Sequence, residues 1–157
     1  MRPTPQAVVL PSESADFAEE VQQVFNELSR TFSPEAMAGE CSPPIDVYET
    51  DESIEIVVDL PGVNIHGVRV IAKGGTLLIV GHKTPRRVRG EFSFQLVERT
   101  FGRFARSVRV GRASDTSRAH ARLGDGELHI SLPKISERRA CSIPITIEPR
   151  RDPSRPS

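Results

Sequence analysis

The sequence has no tryptophan, one tyrosine and only two cysteines in 157 residues, and its formal net charge is zero. Each scarcity excludes something. Cys41 and Cys141 lie far apart and form no C-x-x-C pair, so no disulfide framework is encoded and a reducing compartment is expected. No apolar run approaches the roughly 20 residues that a membrane-spanning helix needs. Near the N-terminus, Ala7-Val8-Val9-Leu10 stops at Pro11, too soon for the core of a signal peptide. A cytoplasmic protein without stable membrane insertion is expected. Balanced charge argues against a polyanion partner. There is no G-x-S-x-G, H-E-x-x-H or P-loop, so neither catalysis nor a cofactor is expected. The four histidines, His66, His82, His120 and His129, fall in strand or turn phases that read as surface. If Gly124-Asp125 makes a two-residue turn, His120 and His129 face each other. Two imidazoles without a third ligand make a weak site, and no metal is assigned.

What is present divides the chain into three. Prolines gather towards both ends, and charge is uneven: residues 1–43 hold two arginines against seven acidic residues, whereas residues 44–134 hold 14 basic against 11 acidic. We read residues 1–43 as an N-terminal arm, 44–134 as a domain and 135–157 as a C-terminal extension. Within the arm, Phe17, Val21, Val24, Phe25, Leu28 and Phe32 recur at three- and four-residue spacings, which predicts an amphipathic helix over about 14–32 with Ser12 or Ser14 as its cap. Two readings stand: a helix packed on the domain, or an interaction element set apart by Ser33-Pro34 and Cys41-Ser42-Pro43-Pro44.

From residue 45 the period changes to two. Ile54, Ile56 and Val58 alternate with Glu55 and Val57 and end at Leu60-Pro61-Gly62, a turn. Val68 and Val70, the run Thr76–Val80, Val108 and Val110, Ala119 to Leu123, and Leu128 to Leu132 continue the pattern, with Gly124-Asp125-Gly126 marking a hairpin. Short strands at this spacing predict an all-β antiparallel sandwich. One connection is too long for a plain loop. It begins with Lys83, Arg86, Arg87 and Arg89, then alternates Phe92, Phe94 and Leu96 with Ser93 and Gln95, a strand pattern that a partner's sheet edge would satisfy. Arg99, Arg103, Arg106, Arg109 and Arg112 mostly track the outer face of one strand and read as a solvated or interface face, so no nucleic acid is assigned. In the tail, Ile143-Pro144-Ile145-Thr146-Ile147 places three isoleucines on one side of an extended chain, and Pro144 lowers the entropy lost on docking. It reads either as a last edge strand or as a peg for a separate groove.

Together these pieces resemble the small heat-shock protein, or α-crystallin domain, family. The resemblance spans about residues 43–147. It is carried by Pro44-Ile45-Asp46-Val47-Tyr48-Glu49, Leu60-Pro61-Gly62-Val63, Val97-Glu98-Arg99-Thr100-Phe101-Gly102-Arg103-Phe104, Ala121-x-Leu123-x-Asp125-Gly126-x-Leu128-x-Ile130-x-Leu132-Pro133-Lys134, and the I-x-I tail. It implies an immunoglobulin-like antiparallel sandwich of seven or eight strands with an N-terminal helical arm and an extended tail. The long loop resembles the bacterial and plant form, in which a strand, here about Ser93 to Glu98, is exchanged to build a dimer, with Phe92, Phe94, Leu96 and Arg106 at the interface. The resemblance further implies that a peg of Ile143, Pro144, Ile145 and Ile147 docks in a neighbour's groove lined by Val68, Val70, Ala119 and Ala121. Either Ile143/Ile145 or Ile145/Ile147 is the docking pair, and Cys141 lies two residues before the first. His82 stands where the family more often has glutamate. The implied function is an ATP-independent holdase, a self-assembling oligomer that binds unfolded clients and hands them to ATP-dependent chaperones. Phe17, Val21, Phe25, Leu28 and Phe32 would be the client contacts. The alternative is a co-chaperone adaptor of the same architecture without holdase activity.

Overall fold

The computed structural model describes residues 17–33, 37–111 and 114–135. Helix α1 (Ala18–Thr31) precedes seven strands: β1 (Ile45–Glu49), β2 (Ser53–Asp59), β3 (Val68–Lys73), β4 (Thr76–Lys83), β5 (Gly102–Arg109), β6 (His120–Gly124) and β7 (Glu127–Pro133). They form two antiparallel sheets, one ordered β1-β2-β7-β6 and the other β3-β4-β5. This is the expected sandwich. Short 3-10 turns at Ile65–Gly67 and Thr116–Arg118 lead into β3 and β6.

Alternation fixes which face of each strand turns inward. On β2, Ile54, Ile56 and Val58 are buried, and across the ladder they oppose Leu132, Ile130 and Leu128 of β7. These meet Leu77, Ile79, Phe104 and Val108 of the other sheet in the principal core. Fully burying one such side chain contributes about 1.5–3 kcal/mol, so these layers hold the two sheets together. The β6–β7 hairpin closes through Asp125 (φ 53°) and Gly126 (φ 78°), both in the left-handed region that a type I′ turn requires. The two-residue turn is therefore Asp125-Gly126 rather than Gly124-Asp125. That shift of register opposes His129 to Arg122 and His120 to Ser131, so the two histidines do not face each other.

β4 departs from the alternation. Every residue from Thr76 to His82 is buried, because the strand is covered on both sides. Leu77 and Ile79 face the principal core, while Leu78 and Val80 face a second cluster with Phe17, Val24, Leu28 and Met37. α1 therefore lies on the outer face of the three-stranded sheet, and of the two readings of its apolar stripe the packed one holds here. Phe17 occupies the N-cap without a side-chain cap. Ser12 and Ser14 lie outside the described residues. His82, expected at the surface, is only 3% exposed, since the end of α1 covers it.

Gly81 allows the inner packing at the end of β4. A Cβ there would come within 2.4 Å of the Gly67 carbonyl oxygen and 2.8 Å of Phe104 Cζ. Backbone cannot retreat as a flexible side chain does. Gly81→Ala is expected to cost about 1–3 kcal/mol of stability, in the range of overpacked cores, read from a chemical-denaturation midpoint. An unchanged midpoint would show that the Gly67 turn yields freely.

Candidate functional site

No group of three or more His, Cys, Asp or Glu residues that could hold a metal ion is found among the described residues. No described helix is long and apolar enough to cross a membrane. What the described residues offer instead is exposed apolar segments and open strand edges.

The first is the long connection between β4 and β5. Residues 84–100 are exposed throughout, including Phe92 at 55%, Phe94 at 70% and Leu96 at 73%. Phe92 and Phe94 contact each other edge to face, with ring centroids 5.3 Å apart. At the base, Lys83 and Arg99 lie over the Phe101 ring at 5.5 and 4.8 Å. The segment expected as an exchanged strand, Ser93 to Glu98, joins no ladder within the single chain. Exposed apolar side chains in a row are uncommon on a soluble monomer.

The second surface is the β1 side of the sandwich. β1 is the edge of its sheet, and β5 is the edge of the other. Arg106, from β5, reaches across: its Nη1 donates to Ser42 Oγ at 2.8 Å and to the Pro43 carbonyl at 2.9 Å. It thus fixes the chain just before β1. The same linker is stitched to β5 further back, where Cys41 N–H donates to the Arg103 carbonyl and Arg103 N–H to the Gly39 carbonyl. Burial pushes the Cys41 thiol above its ordinary range, against a smaller lowering by Lys83.

The third surface lies at the opposite side, where β3 and β6 are the free edges. The four expected groove residues are not equivalent. Val70 and Ala119 are half-buried and pack against the principal core, Val68 is buried, and Ala121 is exposed. Leu123, half-buried on the same core, belongs with them and was not picked out from the sequence. Its inward phase on β6 was the available signal. The peg residues Ile143, Pro144, Ile145 and Ile147, with Cys141, lie outside the described residues.

The fourth is α1 and the face beneath it. Phe17, Leu28 and Val24 are buried, while Val21, Phe25 and Phe32 are partly buried around Ile71, Leu78 and Val80. Lys73 donates to Glu20 Oε1 at 2.6 Å and lies 5.8 Å from the Phe17 ring. That hydrogen bond from Lys73 holds the Glu20 carboxyl below its ordinary value. At the other end Arg103 sits over the Phe25 ring at 5.4 Å, and Phe32 meets His82 edge to face at 4.3 Å. Exposed ion pairs contribute little, so apolar burial is what seats the helix.

The outer face of the four-stranded sheet is polar. Glu55 accepts from Ser53 and Ser131 and pairs with His129 Nε2 at 2.8 Å. Burial pushes its carboxyl up, but those three partners outweigh it and hold it below the ordinary range.

A family model described as the Hsp20/alpha crystallin family matches residues 46–148. Heat shock protein 16 of Schizosaccharomyces pombe is 35% identical over 101 residues, covering 63% of this chain and 71% of that protein. A 16.9 kDa class I heat shock protein of Oryza sativa is 29% identical over 126 residues, covering 80% and 85%. Among solved structures, heat shock protein 16.0 from S. pombe superposes with a TM-score of 0.58 at 33% identity, covering 69% of this chain and all of that one. A small heat-shock protein from Xylella fastidiosa gives 0.58 at 26% identity, covering 72% and 100%.

Because the Arg106 side chain bridges from β5 to Ser42 and Pro43, just before β1, its removal tests how that edge is held. Arg106→Ala is expected to cost about 1.5–3 kcal/mol, the range for hydrogen bonds from a charged donor. Hydrogen exchange over Ile45–Glu49 should rise with it. Exchange that stays at the wild-type rate there would place the anchor elsewhere.

Proposed function

Since the chain belongs to the Hsp20/alpha crystallin family, whose members are chaperones rather than enzymes, we propose that it is an ATP-independent holdase built as an oligomer of dimers. The observation that carries this reading is the amphipathic helix α1 seated on an apolar sheet face. Phe17, Val21, Phe25, Leu28 and Phe32 and the face beneath them form a matched pair of apolar surfaces, mutually covered at rest. A partly unfolded client exposes surface of the same kind, and no shaped pocket is needed to receive it. Heating weakens the contacts that seat the helix and shifts the population towards uncovered chains, which is a change of equilibrium rather than a chemical step.

Assembly follows from the edges. The exposed row Phe92, Phe94 and Leu96 supports exchange of residues 93–98 onto the partner's β1, the nearest free edge held ready by Arg106. Edge pairing would supply the hydrogen bonds that the segment lacks in the single chain, and its apolar side chains would be covered at the same time. The tail peg would then join dimers through the β3 and β6 edges, at Val70, Ala119 and Ala121 with Val68 beneath. Charge within the arm and domain stays inside the assembly. Clients released from such a holdase need an ATP-dependent chaperone to refold, and a cytoplasmic setting suits both partners and the two reduced thiols.

The two halves of the reading separate experimentally. Ile143→Gly with Ile145→Gly is expected to reduce the particle to dimers by light scattering, because Ile145 serves both registers. Full-sized particles would exclude the peg. Removing residues 1–33 keeps the Cys41–Pro43 anchor and is expected to abolish suppression of heat-induced client aggregation while dimers persist. Undiminished suppression would exclude α1 and its stripe as the client surface.

A further inference from the structure

His82 is a buried imidazole beneath the end of α1. It projects from the outer face of β4, beside Val80, and is 3% exposed. Its Nδ1 is buried and meets no hydrogen-bond partner among the described residues. One side of the ring lies against Phe32 at the C-terminal end of α1, with centroids 4.3 Å apart at 61°. Another lies against the Gly67 turn, where a Cβ would come within 3.1 Å of His82 Cε1. The imidazole is therefore a filler between the sheet and the end of the helix, and only its neutral form suits that place.

The charged groups that face it are mostly cations. Directly across the ladder on β5 is Arg103, on the same face of the sheet. Arg103 has Glu40 of the linker at 3.8 Å, a long and exposed contact that does not cancel it. Lys83 follows on β4, over the Phe101 ring. From the β3 side come Arg69, bonded to the His66 and Val68 carbonyls, and exposed His66. Cys41 of the linker is neutral at working pH. The helix offers no anion here: Glu19, Glu27 and Arg30 are exposed on its outward side, and Glu20 is engaged by Lys73 near its start. A proton on His82 would carry its charge into a buried site against an aromatic edge.

We infer that α1 is an acid-released latch, with His82 as its trigger: protonation of the imidazole expels Phe32 and frees the apolar face of Leu78 and Val80. The inference rests on the holdase reading above and names its regulation. Burial pushes the His82 imidazole below its ordinary range. The sign follows. The released state takes up the proton more readily than the seated one, so seating is fully supported above the ordinary imidazole value. It is lost as pH falls below that value, through the lower seated one.

The test uses the full chain and measures hydrogen exchange over residues 17–33 by mass spectrometry at pH 7.5 and 5.5, corrected for intrinsic rates. Wild type is expected to lose at least about threefold in protection on acidification, since each pH unit is worth up to tenfold for one linked proton. His82→Gln, which cannot take a proton, should stay flat. His82→Lys should be unprotected at both pH values, with circular dichroism reporting whether its sandwich is intact; the Gln variant decides the matter if it is not. A His82→Gln chain that opens at the wild-type pH, or a wild type that does not open, overturns the latch. Heat-induced client suppression at pH 7.5 is measured alongside. If both chains suppress aggregation, failure of the latch leaves the holdase reading standing; if neither does, the holdase reading itself fails.

Discussion

The double coverage of β4 is the constraint on which the rest of the structure depends. A central strand that buries seven consecutive residues needs something on each side of it. On one side the four-stranded sheet closes over Leu77 and Ile79, giving the sandwich its core. On the other there is no third sheet, and a single helix covers Leu78 and Val80. The first cover is covalently local, extensive and laddered to its neighbours. The second is one amphipathic segment joined to the domain by a linker. The two covers of this one strand thus differ in extent, a whole sheet on one side and a single helix on the other.

Fold and surfaces were legible in the sequence to different depths, and particular residues show why. Ile54, Ile56 and Val58 against Leu128, Ile130 and Leu132 announce their inward face because water on the other side demands a period of two. The hairpin was placed, but its register slipped by one because Gly124, Asp125 and Gly126 are all turn residues. Only the backbone angles of Asp125 and Gly126 choose the pair. The loop strand was visible from Phe92, Phe94 and Leu96, whose period has no explanation within one chain. His82 was misplaced because phase alone puts it on the outer face, and outer was equated with wet. The uninterrupted run Thr76–Val80 carried the missing information. A strand apolar on both faces needs two covers, and the helical stripe of α1 is broad enough to be the second. Arg106 could be placed near an edge, but its partners are the Ser42 hydroxyl and a proline carbonyl, which no side-chain pattern reveals.

The polar outer face of the other sheet shows the same logic in reverse. Glu55, Ser53, Ser131 and His129 satisfy one another across β2 and β7, so that face needs no cover and attracts none. Nearby, Lys134 at the end of β7 bonds the Thr50 carbonyl and Glu49, tying the exit of the domain to the β1–β2 turn. The two outer faces are thus chemically opposite: one is self-sufficient, the other apolar and lidded.

An open sandwich, unlike a barrel, has four strand edges, and each is a row of hydrogen-bonding groups awaiting a mate. In this chain one of the four is already partly occupied. The linker through Gly39 and Cys41 runs beside the start of β5 and takes up its backbone groups, with Glu40 and Arg103 forming a parallel bridge. That capping takes up the Arg103 end of β5, so part of one edge is closed by a segment that is itself not a strand. Edge-to-edge growth through β5, which would lead towards an indefinite ribbon instead of a closed particle, is blocked at its first residues within each chain.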